Sequence, residues 1–148
     1  MISIILATRN RINKLTKMWN SALNTAHDKD SLELIIYIDD DDINTLDNLS
    51  NLPKRHNNQI KYITGKRYSV PLSETINMCF QHVNSANEIM FLGADDIEFK
   101  TQNWDLIVEQ EFLKYPDRLL ICGGNDGLNH ELLTHIFIHK NWAKVVGK

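Results

Sequence analysis

The sequence predicts an α/β fold: a mainly parallel, doubly wound, Rossmann-like sheet with helices on both faces. Two patterns predict it. Short β-branched runs alternate along the chain with segments whose apolar residues recur at helical spacing, an alternation that implies right-handed βαβ crossovers. Three of those runs end in polar loops, two of them rich in aspartate, as strands do when their carboxyl ends face a ligand crevice. With 148 residues and no linker, low-complexity segment or internal repeat, the chain is expected to form one domain over 1–148.

The first run, Ile2-Ser-Ile-Ile-Leu-Ala7, fits a strand buried on both faces. Thr8, Arg9, Asn10 and Arg11 break it. Ile12, Leu15, Met18, Trp19, Ala22 and Leu23 then return at intervals that predict a helix of about four turns. A second buried strand, Leu32-Glu-Leu-Ile-Ile-Tyr-Ile38, ends in four consecutive aspartates, Asp39 to Asp42, which cannot sit inside a sheet. The Asn-rich stretch 44–58 reads as a short helix and loop, 59–64 as a third strand and 72–83 as a helix. Residues 88–92 form a further strand that ends in Gly93-Ala-Asp-Asp96. Asn103 is placed to cap a helix running to about Tyr115, ahead of Pro116. Residues 118–122 and 132–138 read as two more strands, and 142–146 begins a helix.

The composition, 43% hydrophobic and 24% charged, is ordinary for a soluble globular chain. A net charge of −3 argues against nucleic acid or a membrane surface as partner, since both need a basic face. No apolar run approaches the roughly 20 residues of a transmembrane segment. The run 2–7 is too short for a signal-peptide core and has no basic residue ahead of it. Cys79 and Cys122 lie in apolar runs without ligand spacing and read as buried free thiols, which implies a cytoplasmic protein.

The acidic loops carry the functional signal. If the strands ending at Thr8-Arg9-Asn10, Asp39 to Asp42 and Asp95-Asp96 are neighbours, their loops meet at a crevice holding up to six carboxylates. Such a cluster repels itself unless cations compensate it. Mg²⁺ and Mn²⁺ prefer carboxylate and phosphate oxygens, and Mg²⁺ commonly joins one or two carboxylates to a substrate pyrophosphate. The partner so implied is a nucleotide diphosphate compound with a divalent metal; solvated turns at strand ends are the alternative.

In order and spacing these motifs resemble family 2 glycosyltransferases of the GT-A fold. Residues 2–10 are similar to their opening strand and loop, and 33–40 to their second strand. Residues 72–92 are similar to their next helix and strand, with Asn77 at the usual helix asparagine. Gly93-Ala-Asp-Asp96 stands at the Asp-x-Asp-Asp metal motif, and 134–140 resembles the strand that begins the acceptor side.

The resemblance implies a nucleotide-diphosphate sugar donor, an acceptor of unknown kind, and Mn²⁺ or Mg²⁺ as cofactor. It puts Thr8 and Asn10 at the nucleotide, and Asp39 or Asp40 at a base N–H, a donor that carboxylates accept well. Asp95 would lie near the ribose, beside the metal that Asp96 holds against the pyrophosphate. Arg9 replaces a frequent aromatic, and its guanidinium can stack on the base or meet a phosphate. Lys66 and Arg67 are either pyrophosphate ligands or a solvated basic turn.

Two features depart from the family pattern. Gly93 stands where the first aspartate of the metal motif belongs. The catalytic carboxylate of the family follows the strand resembling 132–138, so the base is expected beyond Lys148, as in a C-terminally truncated domain that binds donor but transfers little. Among other residues, His135 and His139 would share one face of a strand, with His135 either structural or near the sugar or metal. Asp126 lines the sugar pocket or makes a turn, and Trp19, Trp104 and Trp142 read as core or interface. Two other functions fit the residues: a non-catalytic nucleotide-sugar-binding domain, and a haloacid-dehalogenase-type phosphohydrolase using Asp39 as nucleophile.

Overall fold

A computed structural model describes residues 1–57, 59–67, 71–125, 127 and 132–146. Its strands are β1 (Ile2–Thr8), β2 (Leu32–Asp39), β3 (Ile60–Gly65), β4 (Ile89–Leu92), β5 (Ile121–Cys122) and β6 (Ile136–His139). Its α-helices are α1 (Ile12–Thr25), α2 (Ile43–Asn48), α3 (Leu72–Phe80), α4 (Trp104–Leu113) and α5 (Asn141–Val146). The strands form one sheet in the order β3-β2-β1-β4-β6-β5. The first four in that order run parallel, while β6 is antiparallel to both of its neighbours.

Alternation along the central strands divides the core between two faces. Ile2, Ile4 and Leu6 of β1 and Leu32, Leu34, Ile36 and Ile38 of β2 pack with Leu15, Met18 and Trp19 of α1 and with Trp104 and Phe112 of α4. Ile5, Ile35, Tyr37 and Met90 pack on the other face with Cys79 of α3. Helices therefore cover both faces, as the unbroken apolar runs require.

Register decides which loops meet. Thr8 lies opposite Ile38, and Asp39 lies opposite Gly65, so β1, β2 and β3 end nearly level. Strand β4 stops earlier, with Leu92 opposite Ile5, but the Gly93 N–H still donates to the Ile5 carbonyl at 3.0 Å. The chain thus continues beside β1 and delivers Asp95 to Thr8.

Three expected elements are shorter than their apolar runs. Residues 132–135 lie outside β6 because β4 offers no partner beyond Leu92, which pairs with Ile136. At 118–120 the exit turn of α4 takes the backbone: Arg118 has φ +62°, and its N–H donates to the Tyr115 carbonyl at 3.0 Å. Only Ile121 and Cys122 are left to pair as β5. Helix α3 ends at Phe80, and His82 and Val83 close turns onto Cys79 and Phe80. Among the described residues no helix is long and apolar enough to cross a membrane.

Candidate active site

The carboxyl ends of β2, β1 and β4 open into a cavity of about 490 Å³ whose walls include Thr8, Arg9, Arg11, Tyr37, Asp39 and Asp95. Asp95 is 3% exposed and is fixed from two sides. Thr8 Oγ1 donates to its Oδ2 at 2.6 Å, and Arg11 Nη1 donates to its Oδ1 at 3.1 Å. Asp96 is half exposed, with Arg11 Nη1 at 3.5 Å and Lys14 Nζ at 3.4 Å from its Oδ2. Arg9 Nη1 donates to Asp39 Oδ2 at 2.9 Å, and its guanidinium also grips both carboxylate oxygens of Asp41. The hydrogen bond to Asp41 is the main cause that raises the Arg9 pKa, and the same bond holds the Asp41 carboxyl below its usual range.

This arrangement corrects the expectation of a six-carboxylate crevice. Asp42 is buried and caps α2, its Oδ1 accepting from the Thr45 N–H at 3.1 Å. Its Oδ2 accepts from the Asn10 N–H at 2.7 Å, a geometry made possible by the left-handed backbone of Asn10 at φ +52°. Asp40 is exposed, and its N–H donates to the Gly65 carbonyl at 2.9 Å. Asp39 and Asp95 remain to line the cavity, and Asp96, the next residue, lines the neighbouring larger one. Their charge is offset by Arg9, Arg11 and Lys14. Arg11 and Lys14 stand where β1 breaks and α1 begins, a stretch whose spacing predicts only a turn and a helix and carries no local sign of these ion pairs.

Gly93 also finds a physical account. A Cβ there would lie 2.8 Å from the ring of Phe91, which is 4% exposed in the core. Packing under the turn therefore excludes the aspartate that the metal motif would carry.

Among the described residues no group of three or more His, Cys, Asp or Glu side chains is placed to hold a metal. A protein-only cage is absent there, but Mg²⁺ bound to phosphates commonly uses only one or two protein carboxylates. Asp96, half exposed beside the buried Asp95, fits that mode with hard oxygen donors.

Other expected residues divide between this edge and elsewhere. Lys66 and Arg67 follow β3 at the same end of the sheet and are exposed; the charge of Arg67 helps to lower the Asp41 pKa. A larger cavity of about 680 Å³ adjoins Asp96 and is lined by Phe99, Trp104, Cys122, Thr134 and His135 among others. His139 sits at the opposite end of β6, opposite Ile89, where burial lowers its pKa and Nδ1 accepts from the Asn141 N–H at 3.1 Å. Trp19 and Trp104 are core residues whose indole N–H groups donate to the carbonyls of Pro53 and Ala22. Trp142 donates to the Leu120 carbonyl. Cys79 is buried as expected, its thiol pushed up to about 12 by burial, but Cys122 is only half buried because β5 is an edge strand. Asp126 lies outside the described residues.

The sequence profile described as Glycosyl transferase family 2 matches residues 3–126. No curated protein sequence matches the chain. Among solved structures, the mannosyltransferase PcManGT from Pyrobaculum calidifontis, in complex with GDP-Man and Mn²⁺, is 12% identical with a TM-score of 0.71, over 99% of this chain and 46% of that one. S. aureus TarS 1–349 is 14% identical with a TM-score of 0.61, over 99% of this chain and 49% of that one. The same protein in complex with UDP-GlcNAc is 18% identical with a TM-score of 0.58, over 76% of this chain and 31% of that one. The chain thus spans about half the length, or less, of the solved structures it matches.

Proposed function

The chain belongs to glycosyl transferase family 2, and from that premise we propose that its carboxyl-edge cavity binds a nucleotide-diphosphate sugar for transfer to an acceptor. The observation that carries this reading is the meeting of Thr8, Asp39 and Asp95 in the wall of one cavity. Three loops from separate parts of the sequence supply those groups. Asp39 offers an acceptor to a base N–H, with Thr8 and Asn10 beside the nucleoside. Arg9 already engages Asp39, so its role is to hold that carboxylate in place and to flank the base. Asp40 stands on the exposed side of the same turn as a secondary base contact. Asp95 faces the ribose, and Lys66 and Arg67 approach the phosphates from the end of β3.

Asp96, with Asp95 behind it, would hold Mn²⁺ or Mg²⁺ against the diphosphate. When bound there the metal supplies Lewis-acid stabilisation of the leaving diphosphate. Similarity to structures solved with GDP-Man and Mn²⁺ or with UDP-GlcNAc supports the donor class. We place the chain in the cytoplasm because both cysteines are free thiols. Family membership sets the phosphohydrolase reading aside; a donor-binding domain without transfer activity of its own is the second reading.

A thermal-shift panel of nucleoside diphosphates and their sugars, with and without Mn²⁺, tests the proposal. A ligand at a hundredfold excess over Kd should stabilise the fold by about 2.7 kcal/mol. The rise should be largest with metal and should vanish in Asp39→Ala. No stabilisation by any member of the panel would reject the donor site.

A further inference from the structure

We propose that Arg11 and Lys14 bind the diphosphate alongside Lys66 and Arg67, and that without donor they hold the place of the metal by neutralising Asp95 and Asp96. The inference rests on the donor reading above and adds an exchange of partners to it. Arg11 Nη1 lies 3.1 Å from Asp95 Oδ1 and 3.5 Å from Asp96 Oδ2, and Lys14 Nζ lies 3.4 Å from Asp96 Oδ2. The ion pairs therefore balance two carboxylates with two cations.

Exposure separates the partners. The Arg11 and Lys14 side chains are 52% and 53% exposed, while that of Asp95 is 4% exposed and tied to Thr8. The cations stand open to solvent, while the carboxylate is enclosed and bonded. Arg11 also lines the cavity itself, so its guanidinium reaches an occupant without a backbone change.

Helix α1 gives an independent reason why these cations face an anion. Arg11 is its N-cap residue and Lys14 lies in its first turn, which has no acidic residue and no side-chain cap. Cations are disfavoured at the positive end of a helix, so an anion in front of them must offset their placement. Asp95 and Asp96 do so in the free protein. A diphosphate, bearing one charge on each phosphate, does so when donor is bound, and a divalent cation then takes over the two aspartates. The exchange keeps the site neutral at each end. Metal alone must compete with Arg11 and Lys14, and diphosphate alone must pass two carboxylates; together they satisfy every charge.

The test uses Arg11→Gln, Lys14→Gln, the double variant and the conservative Arg11→Lys, each shown to unfold cooperatively and assayed well below its own thermal transition. Titration with Mn²⁺ alone, followed by the resonance of the free ion, should show roughly fivefold tighter binding in the double variant, the scale of a released exposed ion pair. Calorimetry with UDP, GDP, ADP and CDP in Mn²⁺ should show on the order of tenfold weaker binding in each Gln variant. The matching monophosphates should lose less, and Arg11→Lys should recover part of the loss. Unchanged diphosphate affinity in the Gln variants, or Mn²⁺ binding no tighter than in the wild type, overturns the exchange. A wild-type chain that binds no nucleoside diphosphate under any condition overturns the donor reading, and the exchange with it.

Discussion

Thr8 Oγ1 donates a 2.6 Å hydrogen bond to Asp95 Oδ2, joining buried groups 87 positions apart. The bond ties the end of β1 to the turn after β4 and fixes the carboxylate next to Asp96. A buried acceptor left unpaired keeps its desolvation cost, and a hydrogen bond to a charged group contributes about 1.5–3 kcal/mol. Thr8→Val keeps the shape and removes the donor, so it should lower unfolding stability by about that amount in urea titrations. Thr8→Ser should lose far less. A Thr8→Val loss no larger than that of Thr8→Ser would show that the hydrogen bond to Asp95 does not set the effect.

Gly65 and Tyr37 form a second point of contact under the cavity. An added Cβ at Gly65 would collide with the Tyr37 hydroxyl, and Tyr37 is 4% exposed and lines the cavity. Gly65→Ala should therefore destabilise by about 1–3 kcal/mol, as overpacking does. In a Tyr37→Phe background the same substitution should cost less, because the colliding oxygen is gone. A double-mutant cycle with no coupling would reject the contact.

Much of the fold was legible because its signals are local. The β1 and β2 runs are apolar on both faces, and α1 repeats Leu15, Met18, Trp19, Ala22 and Leu23 on one stripe. The edge strands were less legible, since β5 and β6 are bounded by where a partner strand stops and by the Arg118 turn, which are properties of the neighbours. At the site, Thr8 and Asp39 could be named because each ends a strand, and Asp95 because it lies in the turn just after one. The pairing of Arg11 and Lys14 with Asp95 and Asp96 could not, since it depends on how α1 leaves β1, between residues 82 or more positions apart. Glu33 was likewise silent in the sequence. It is a buried carboxylate in mid-strand, satisfied by Ser3, Asn87, the Asn84 N–H and Lys61.

Asp42 supplies the pH dependence. Burial opposes its ionisation, but hydrogen bonds from Thr45 and Asn10 outweigh burial and bring the carboxyl below its ordinary 3.8. A group whose folded pKa is depressed stabilises the fold fully above its unfolded value and loses that contribution as pH falls through the folded one. Asp42→Ala should cost about 1–2 kcal/mol at neutral pH, the scale of a lost helix cap. The stability gap between wild type and Asp42→Asn should hold steady from pH 7 to about 5 and close below about pH 4. A gap that widens in acid would mean that the neutral acid, and not the carboxylate, is the form the fold prefers.

Asp96→Asn separates a metal ligand from a simple ion-pair partner. Asp96 is half exposed and already meets Arg11 and Lys14, so its loss should leave the fold intact, as exposed pairs contribute little. Amides are poorer donors than carboxylates for hard divalent cations. With Mn²⁺ present, nucleoside diphosphate binding should therefore weaken on the order of tenfold or more, the cost of a lost interaction with a charged group. Without metal the sign differs: Asp96 then only repels the diphosphate and occupies Lys14. Metal-free affinity should stay level or rise slightly. Calorimetry in Mn²⁺ and in chelator gives both numbers on one protein sample. Equal losses in the two conditions would remove Asp96 from the metal site and leave it as a surface partner of Lys14.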